Sequence, residues 1–171
     1  MRKMLMALLL LWGTAVALCA QDLDEKYAAE LLKPGTEAPD MYIGRSKEGK
    51  PMRLSELRGR HVLLYFWASW CGPCRWAIPK VEQLYKRYGA DRLAVVSVSL
   101  DKKREDWEKA LKQENMPWTQ LGVDGNDMLV TVSRAYHITR IPRLLLIAPV
   151  GRVVFSGHDV NALRLTVEKL L

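Results

Sequence analysis

Two long apolar runs dominate the hydrophobic pattern of this chain. Residues 61–67 and 93–100 contain few polar side chains and are rich in β-branched and aromatic residues. Such runs are typical of strands that are buried on both faces of a sheet. After the first run, apolar residues recur at helical spacing until Gly89 ends the pattern. The predicted apolar face of this helix consists of Ala77, Val81, Leu84, Tyr85 and Tyr88. A buried strand is therefore predicted to run straight into an amphipathic helix.

Shorter segments, separated by turn-forming residues, complete the predicted element order. They are a hairpin with strands at 41–43 and 52–54, a brief turn that Ser55 caps, a helix that begins at Asp101 and ends near Asn115, a helix over 126–136, strands over 143–148 and 152–155, and a last helix with Val160, Leu163, Val167 and Leu170 on one face. The central order β-α-β-α-α-β-β-α predicts an α/β fold with helices on both sides of its sheet. This sheet is parallel at first and is closed by an antiparallel hairpin.

The first twenty residues have the pattern of a secretory signal peptide. Arg2 and Lys3 give a positive start, residues 4–12 are apolar, and small residues follow. The apolar run is too short for a permanent transmembrane span. Cleavage is expected after Ala20 or after Ala17. The mature protein is therefore predicted to work in the periplasm or another extracytoplasmic compartment.

Cys19 allows a second interpretation of the same segment. A cysteine just after the apolar region can carry a lipid, although Leu18 stands where a small residue is expected. Residues 21–33 are charged and are predicted to form a linker or a short lead-in helix. The folded domain is predicted to span residues 34–171, beginning at a chain-breaking Pro-Gly pair. Contact with a membrane is expected only through a lipid on Cys19 or a retained signal segment.

Length and charge narrow the class of protein further. The chain of 171 residues is long enough for one domain with a sizeable core, and its net charge is +7. Removing the two cations Arg2 and Lys3 with the signal peptide lowers this charge to +5. The other cations are mixed with acidic residues, as in 102–106, which is typical of a solvated helix face. No nucleic-acid partner is therefore predicted.

The motif that carries chemistry is Trp70-Cys71-Gly72-Pro73-Cys74, at the junction of the predicted strand and helix. Unpaired N–H groups and the positive end of the helix dipole stabilise a thiolate there, and the thiolate is the nucleophilic form of cysteine. Cys71 is predicted to be the exposed attacking thiol, with Cys74 deeper and within disulfide reach. Gly72 lets a partner chain approach closely, and Pro73 suits the first helical turn.

Two other uses of a Cys-x-x-Cys pair fit the sequence less well. A zinc site needs four ligands, but the chain has no second cysteine pair, and its three histidines are scattered. A structural disulfide across so short a loop would stabilise the fold little. If the signal peptide is removed beyond Cys19, one close pair is left in an exported chain, which indicates redox cycling. No metal and no cofactor are predicted.

The stretch 67–75, together with two later prolines, resembles the thioredoxin family. Its motif is nearly that of thioredoxin, Pro79 matches the family's helix-kinking proline, and Ile141-Pro142 resembles its cis-proline step. The resemblance covers about residues 34–171 and implies a thioredoxin-like fold. The chain adds an N-terminal β-hairpin and an inserted segment between the central β-α-β unit and the cis-proline strand. These additions make it more similar to the extracytoplasmic TlpA/ResA group of the AhpC/TSA redoxin superfamily.

This resemblance implies roles for several residues. The substrate would be bound by Trp70, Gly72, Pro73, Ile141, Pro142 and Arg143. Arg143 stands where the family commonly has threonine, which would favour an acidic partner. Tyr65 replaces the buried aspartate that takes the proton of the second cysteine in thioredoxins. The TlpA/ResA group places an acid at the end of the next strand, where this chain has Asp101. The alternative is that Asp101 only caps the helix that follows it.

The implied activity is that of a thiol–disulfide oxidoreductase. It would reduce protein disulfides through Cys71 and Cys74, and it would need a membrane-embedded thiol electron donor because its compartment is oxidising. Cytochrome c maturation and general disulfide repair are both compatible with these residues. Thiol peroxidase is a rival function, but residues 65–71 lack the proline of a peroxidatic loop. A non-catalytic binding or chaperone module is another rival, against which the intact cysteine pair argues.

Overall fold

The structure, a computed structural model, describes residues 31–171, of which Leu32–Leu171 form one compact unit. The predicted signal peptide, Cys19 and most of the predicted linker lie outside the described residues. The described elements are β1 (Tyr42–Arg45), β2 (Pro51–Arg53), a 3-10 helix (Leu54–Leu57), β3 (His61–Trp67), α1 (Gly72–Arg92), β4 (Leu93–Ser99), α2 (Arg104–Leu111), β5 (Thr119–Gly122), α3 (Gly125–Ala135), β6 (Arg143–Ile147), β7 (Val153–Gly157) and α4 (Val160–Leu170).

The strands form one sheet in the order β2-β1-β5-β4-β3-β6-β7. Strand β3 lies between its parallel neighbour β4 and its antiparallel neighbour β6. All of its residues except His61 are buried, which explains its uninterrupted apolar sequence. In this register Trp67 is paired with Ser99, and Phe66 is paired with Arg143. The chain therefore leaves β3 beside the end of β4 and the beginning of β6.

Helices cover both faces of the sheet, as the hydrophobic pattern predicts. A first hydrophobic cluster joins one face to α1, α2 and α4, and includes Val81, Trp107 and Leu163. A second cluster joins the opposite face to the 3-10 helix and α3, and includes Leu54 and Val132. The segment between β4 and β6 is the predicted insertion, and it contributes α2, β5 and α3.

Helix α1 follows the predicted amphipathic pattern closely. Four of the five predicted core residues are buried, and Tyr85 is half-buried against them. Pro79 lies inside the helix, and Gly89 has a φ of 67°, in the left-handed region that favours glycine. The regular helix therefore ends at Gly89, although α1 as a whole extends to Arg92. Neither α1 nor any other helix within residues 31–171 is long and apolar enough to cross a membrane.

Two local predictions about the chain are wrong. The sequence pattern predicts no strand at Thr119–Gly122, yet β5 pairs there with β4 and β1. This short segment is partly polar, and it is extended because neighbouring strands pair with it rather than through its own periodicity. Ser55 does not cap a turn, because the 3-10 helix begins one residue earlier at Leu54. Its N–H donates instead to the Asp40 carboxylate at 3.0 Å.

Candidate active site

The two cysteines of the motif form a disulfide at the N-terminus of α1. Cys71 is the N-cap residue, Cys74 lies in the first turn, and their Cα atoms are 5.3 Å apart. The Cys74 N–H donates a hydrogen bond to Cys71 Sγ at 3.2 Å. After reduction of the disulfide, this N–H and the helix dipole would favour a negative charge on the Cys71 sulfur. The geometry thus suits Cys71 as the nucleophile.

The burial of the two cysteines differs in degree from the prediction. Cys71 is the more accessible one, but only 5% of its surface is exposed, whereas Cys74 is fully buried. The prediction of an openly exposed Cys71 is therefore wrong for the oxidised protein. Over Gly72, by contrast, an added Cβ would meet nothing within 4 Å. Gly72 is itself exposed, so a partner chain can approach it, and Pro73 occupies the first turn of α1 as predicted.

Tyr65 lies beneath the disulfide, at the position of the thioredoxin aspartate. Its hydroxyl donates a hydrogen bond to the Cys74 carbonyl oxygen at 2.5 Å. Burial, with a smaller contribution from the charge of Glu114, raises the pKa of Tyr65 far above its usual value. The phenol therefore keeps its proton at physiological pH and acts only as a hydrogen-bond donor to the backbone of α1.

Asp101 is buried beside the loop that leads to Cys71. Its carboxylate accepts hydrogen bonds from the Ser69 N–H at 3.0 Å, from Ser69 Oγ at 2.7 Å and from Ser99 Oγ at 2.6 Å. Helix α2 begins only after Lys103, which is its N-cap. The alternative that Asp101 only caps this helix is therefore wrong. The carboxylate instead ties the end of β4 to the loop that follows β3.

The Ile141–Pro142 bond is cis, as the resemblance implies. The His158 ring contacts the Pro142 carbonyl oxygen at 2.7 Å, and because a carbonyl only accepts, Nδ1 carries the proton. Ile141 lines a groove together with Trp70, and Pro142 lines a smaller cavity together with Pro73. Four of the predicted substrate-binding residues are thus brought together around the disulfide.

Arg143 is the exception among those predicted residues. Its side chain is fully buried, and none of its three guanidinium nitrogens has a hydrogen-bond partner within the part of the chain that the structure describes. Burial lowers the pKa of Arg143 to about 10, and the nearby charge of Arg140 contributes less. The guanidinium is therefore still charged at neutral pH. The structure corrects the prediction that Arg143 lies on the surface that contacts the substrate, because β6 carries its side chain into the interior.

Two exposed tryptophans flank the disulfide. Trp70 is 71% exposed and Trp76 is 81% exposed, whereas Trp67 is fully buried in the core, as expected. Trp76 lines the smaller cavity beside Pro73 and Pro142. The sequence prediction missed Trp76, although a large aromatic residue outside the apolar face of α1 was an available signal. An indole at this position offers apolar contact area to a docked polypeptide.

Comparison with known proteins places this site in a family. Residues 59–153 match the thioredoxin-like family. The thioredoxin-like protein YneN of Bacillus subtilis is 44% identical over 68 residues, which cover 40% of this chain and 39% of YneN. The thiol-disulfide oxidoreductase ResA of Bacillus subtilis is 30% identical over 128 residues, which cover 73% of this chain and 67% of ResA. The chain spans between 26% and 67% of the length of its first curated relatives.

A solved structure supports the same relationship at the level of the whole fold. The thioredoxin domain of a thiol-disulfide oxidoreductase from Bacteroides vulgatus matches with a TM-score of 0.75 at 29% identity. The match covers 81% of this chain and 98% of that domain. From the family match, the ResA relationship, the Cys71–Cys74 disulfide and the cis Ile141–Pro142 bond, we conclude that the chain belongs to the thioredoxin-like family, in its TlpA/ResA-type group.

Proposed function

We propose that this protein is an extracytoplasmic thiol–disulfide oxidoreductase that reduces the disulfides of other proteins. The observation that carries the proposal is the Cys71–Cys74 disulfide at the N-terminus of α1, bracketed by the loop after β3 and by the cis-proline step. A helix N-terminus stabilises the attacking thiolate, and the open space over Gly72 admits a polypeptide. ResA, a relative at 30% identity, bears the name of this activity.

The reaction consists of two thiol–disulfide exchanges. The Cys71 thiolate attacks a substrate disulfide, so that a bond forms between Cys71 Sγ and one substrate sulfur while the other substrate sulfur leaves as a thiolate. The Cys74 thiolate then attacks Cys71 Sγ, which re-forms the internal disulfide and releases the second substrate thiolate. Two electrons have passed to the substrate. A dithiol donor must reduce the Cys71–Cys74 disulfide before the next cycle, and we propose a membrane-embedded thiol protein for this step.

Cys74 must lose its proton before the second exchange, and we assign Asp101 as the acceptor, directly or through one water. Tyr65 is unsuited to this role because burial keeps its own proton in place. The support for Asp101 is its burial at the end of β4, together with the three hydrogen bonds that hold its carboxylate beside the loop to Cys71. The effect of Asp101→Asn on the rate of the second exchange distinguishes proton transfer from a purely structural role.

Reduction of insulin in the presence of dithiothreitol tests the activity. We expect turnover by the intact protein and none by Cys71→Ser, since this variant lacks the attacking sulfur. Cys74→Ser should complete only the first exchange and stay disulfide-linked to its substrates, which mass spectrometry can then identify. Turnover by Cys71→Ser would contradict the proposal. Hydrogen peroxide should be consumed slowly, and rapid consumption would favour the peroxidase function instead.

We place the activity outside the cytoplasm because residues 1–20 have the pattern of a signal peptide. Its substrates there would include the Cys-x-x-Cys-His haem sites of cytochrome c maturation, which need reduced thiols, or misoxidised proteins in general. The mass of the mature N-terminal peptide tests the location. A peptide that begins at Gln21 or Leu18 supports cleavage and release. A lipid on Cys19 would instead attach the domain to a membrane.

A further inference from the structure

Arg143 is a buried charge on β6. Its side chain has no exposed surface, and Nε and both terminal nitrogens lack hydrogen-bond partners among residues 31–171. A buried cation destabilises a fold unless acceptors or an anion compensate it. The guanidinium still carries its charge at neutral pH, because burial lowers its pKa only to about 10. A cation in this state attracts any anion that can come near it.

The alternation of side chains along β6 shows which face of the sheet Arg143 occupies. Leu144 packs in the first cluster, with α1 and α4, whereas Leu145 packs in the second, with α3. Arg143 lies two positions before Leu145 and therefore shares its face. Its pairing partner on β3 is Phe66, which also belongs to the second cluster. The guanidinium therefore lies on the face of the sheet that α3 covers.

A groove of about 680 Å³ opens on this same face, next to the disulfide. Its apolar wall contains Leu100, Leu129, Ile138 and Ile141, all of which pack in or against the second cluster. Trp70, which immediately precedes Cys71 in the chain, also lines the groove. A polypeptide whose disulfide is presented to Cys71 would therefore pass this groove.

The charges that face the groove are unevenly distributed. The charged lining residues are Lys102, Lys103 and Arg140, together with the acids Asp101 and Asp106. Two serines already donate to the Asp101 carboxylate. Arg140 lies near enough to Arg143 for the two cations to repel each other. The lining carries three cations and two carboxylates, and Arg143, near Arg140, adds a fourth cation. The net charge of these groups is +2, which favours an anionic group.

We propose that this groove receives an acidic side chain of the substrate, close to the cysteine that Cys71 attacks, and that Arg143 is the buried cation that selects it. The inference rests on the proposed function and names its substrate class: disulfides with an aspartate or glutamate a few residues from one cysteine. Arg143 does not line the groove itself. Its charge acts across the apolar wall, where a low dielectric preserves attraction between charges. Arg143 is thus a specificity residue.

A pair of peptides tests this selection. Both carry one cysteine as a mixed disulfide with 2-thiopyridine and share an apolar sequence, but one has Glu and the other Gln three residues from the cysteine. Reduced protein with Cys74→Ser performs only the first exchange: the Cys71–peptide bond forms, the peptide–thiopyridine bond breaks, and absorbance follows the released thiopyridine. Coulomb attraction to these cations should make the Glu peptide react about tenfold faster than the Gln peptide.

Variants show whether Arg143 causes the preference. In Arg143→Met the Glu/Gln rate ratio should fall from about ten to about three, because methionine fills the space without charge while Lys102, Lys103 and Arg140 still line the groove. Arg60→Met is the matched control: Arg60 precedes β3 at the opposite end of the sheet and donates to the Ala90 carbonyl. It should keep the full ratio. The melting temperature of Arg143→Met should equal or exceed that of the parent, since an unpaired buried charge is removed.

The outcomes separate this inference from the proposed function. Equal rates for the two peptides with the Cys74→Ser protein that keeps Arg143 would overturn the inference. This measurement does not depend on whether an Arg143 variant folds. An undiminished Glu/Gln ratio in a folded Arg143→Met protein would overturn it as well. If neither peptide reacts faster than with an additional Cys71→Ser change, the proposed function itself fails. A reduced Glu/Gln ratio in Arg143→Met, with the full ratio kept in Arg60→Met, supports the selection by the buried cation.

Discussion

Replacing Asp101 by asparagine should weaken both the fold and the second exchange of the reaction. The carboxylate accepts three hydrogen bonds from Ser69 and Ser99. Asparagine keeps one acceptor oxygen, turns an NH2 group toward a serine hydroxyl and removes the charge that strengthens each bond. A charge-assisted bond stabilises by about 1.5–3 kcal/mol and a neutral one by about 0.5–1.5 kcal/mol. The loss should be about 1 kcal/mol per bond, and therefore about 3 kcal/mol over the three bonds.

Urea denaturation followed by tryptophan fluorescence measures this loss. With a slope of about 2 kcal/mol per molar urea, the midpoint should fall by about 1.5 M. Asp106→Asn is the matched control, because Asp106 is an exposed acid of the same groove and lies in the first turn of α2. It should shift the midpoint little. A midpoint for Asp101→Asn that equals that of the control would refute the hydrogen-bond argument.

Stopped-flow fluorescence distinguishes the structural role of Asp101 from its proposed role as the proton acceptor. Asp101→Asn should slow the attack of Cys74 on the mixed disulfide and spare the first attack by Cys71. Ser69→Ala is the decisive companion, because it removes one donor to the carboxylate but keeps the proton acceptor. It should cost stability and leave the second exchange unchanged. If Ser69→Ala slows this exchange as much as Asp101→Asn does, Asp101 acts only by positioning the loop.

Three further predictions test the surroundings of the site. Tyr65→Phe removes one buried hydrogen bond and should destabilise the fold by about 1 kcal/mol in urea titrations. Tyr136→Phe, which loses a similar bond to a backbone carbonyl, should cost as much without altering the redox rates. Burial lowers the pKa of His61 below 6.5 in the folded protein. As the pH drops below 6.5, the unfolded state therefore binds more protons than the folded state does. The melting temperature should therefore fall as the pH drops below 6.5, and His61→Gln should reduce this fall. Gly122→Ala would place a Cβ 2.8 Å from the buried Trp107 ring and should cost about 1–3 kcal/mol in thermal unfolding. An unchanged variant or pH profile would contradict the corresponding argument.

The sequence by itself determined the elements that carry their own periodicity. The apolar run of β3 and the one-sided pattern of α1 predict a strand that leads into a helix, and the Cys71 pair at their junction follows from that order. The hydrophobic pattern also predicts helices on both faces of the sheet. Burial of an apolar face is a local property of the sequence, because it depends on which residues recur at a fixed spacing.

Only the tertiary structure decided the features that depend on residues far apart in the chain. Strand β5 exists because β4 and β1 pair with it. Asp101 is held by Ser69, 32 positions earlier, rather than by the helix that follows it. The alternation of β6 and the cover of α3 bury Arg143, although a charged residue beside a binding loop reads as exposed in the sequence. Periodicity is local, whereas strand pairing and the environment of a charge are set by whichever segments the fold brings together.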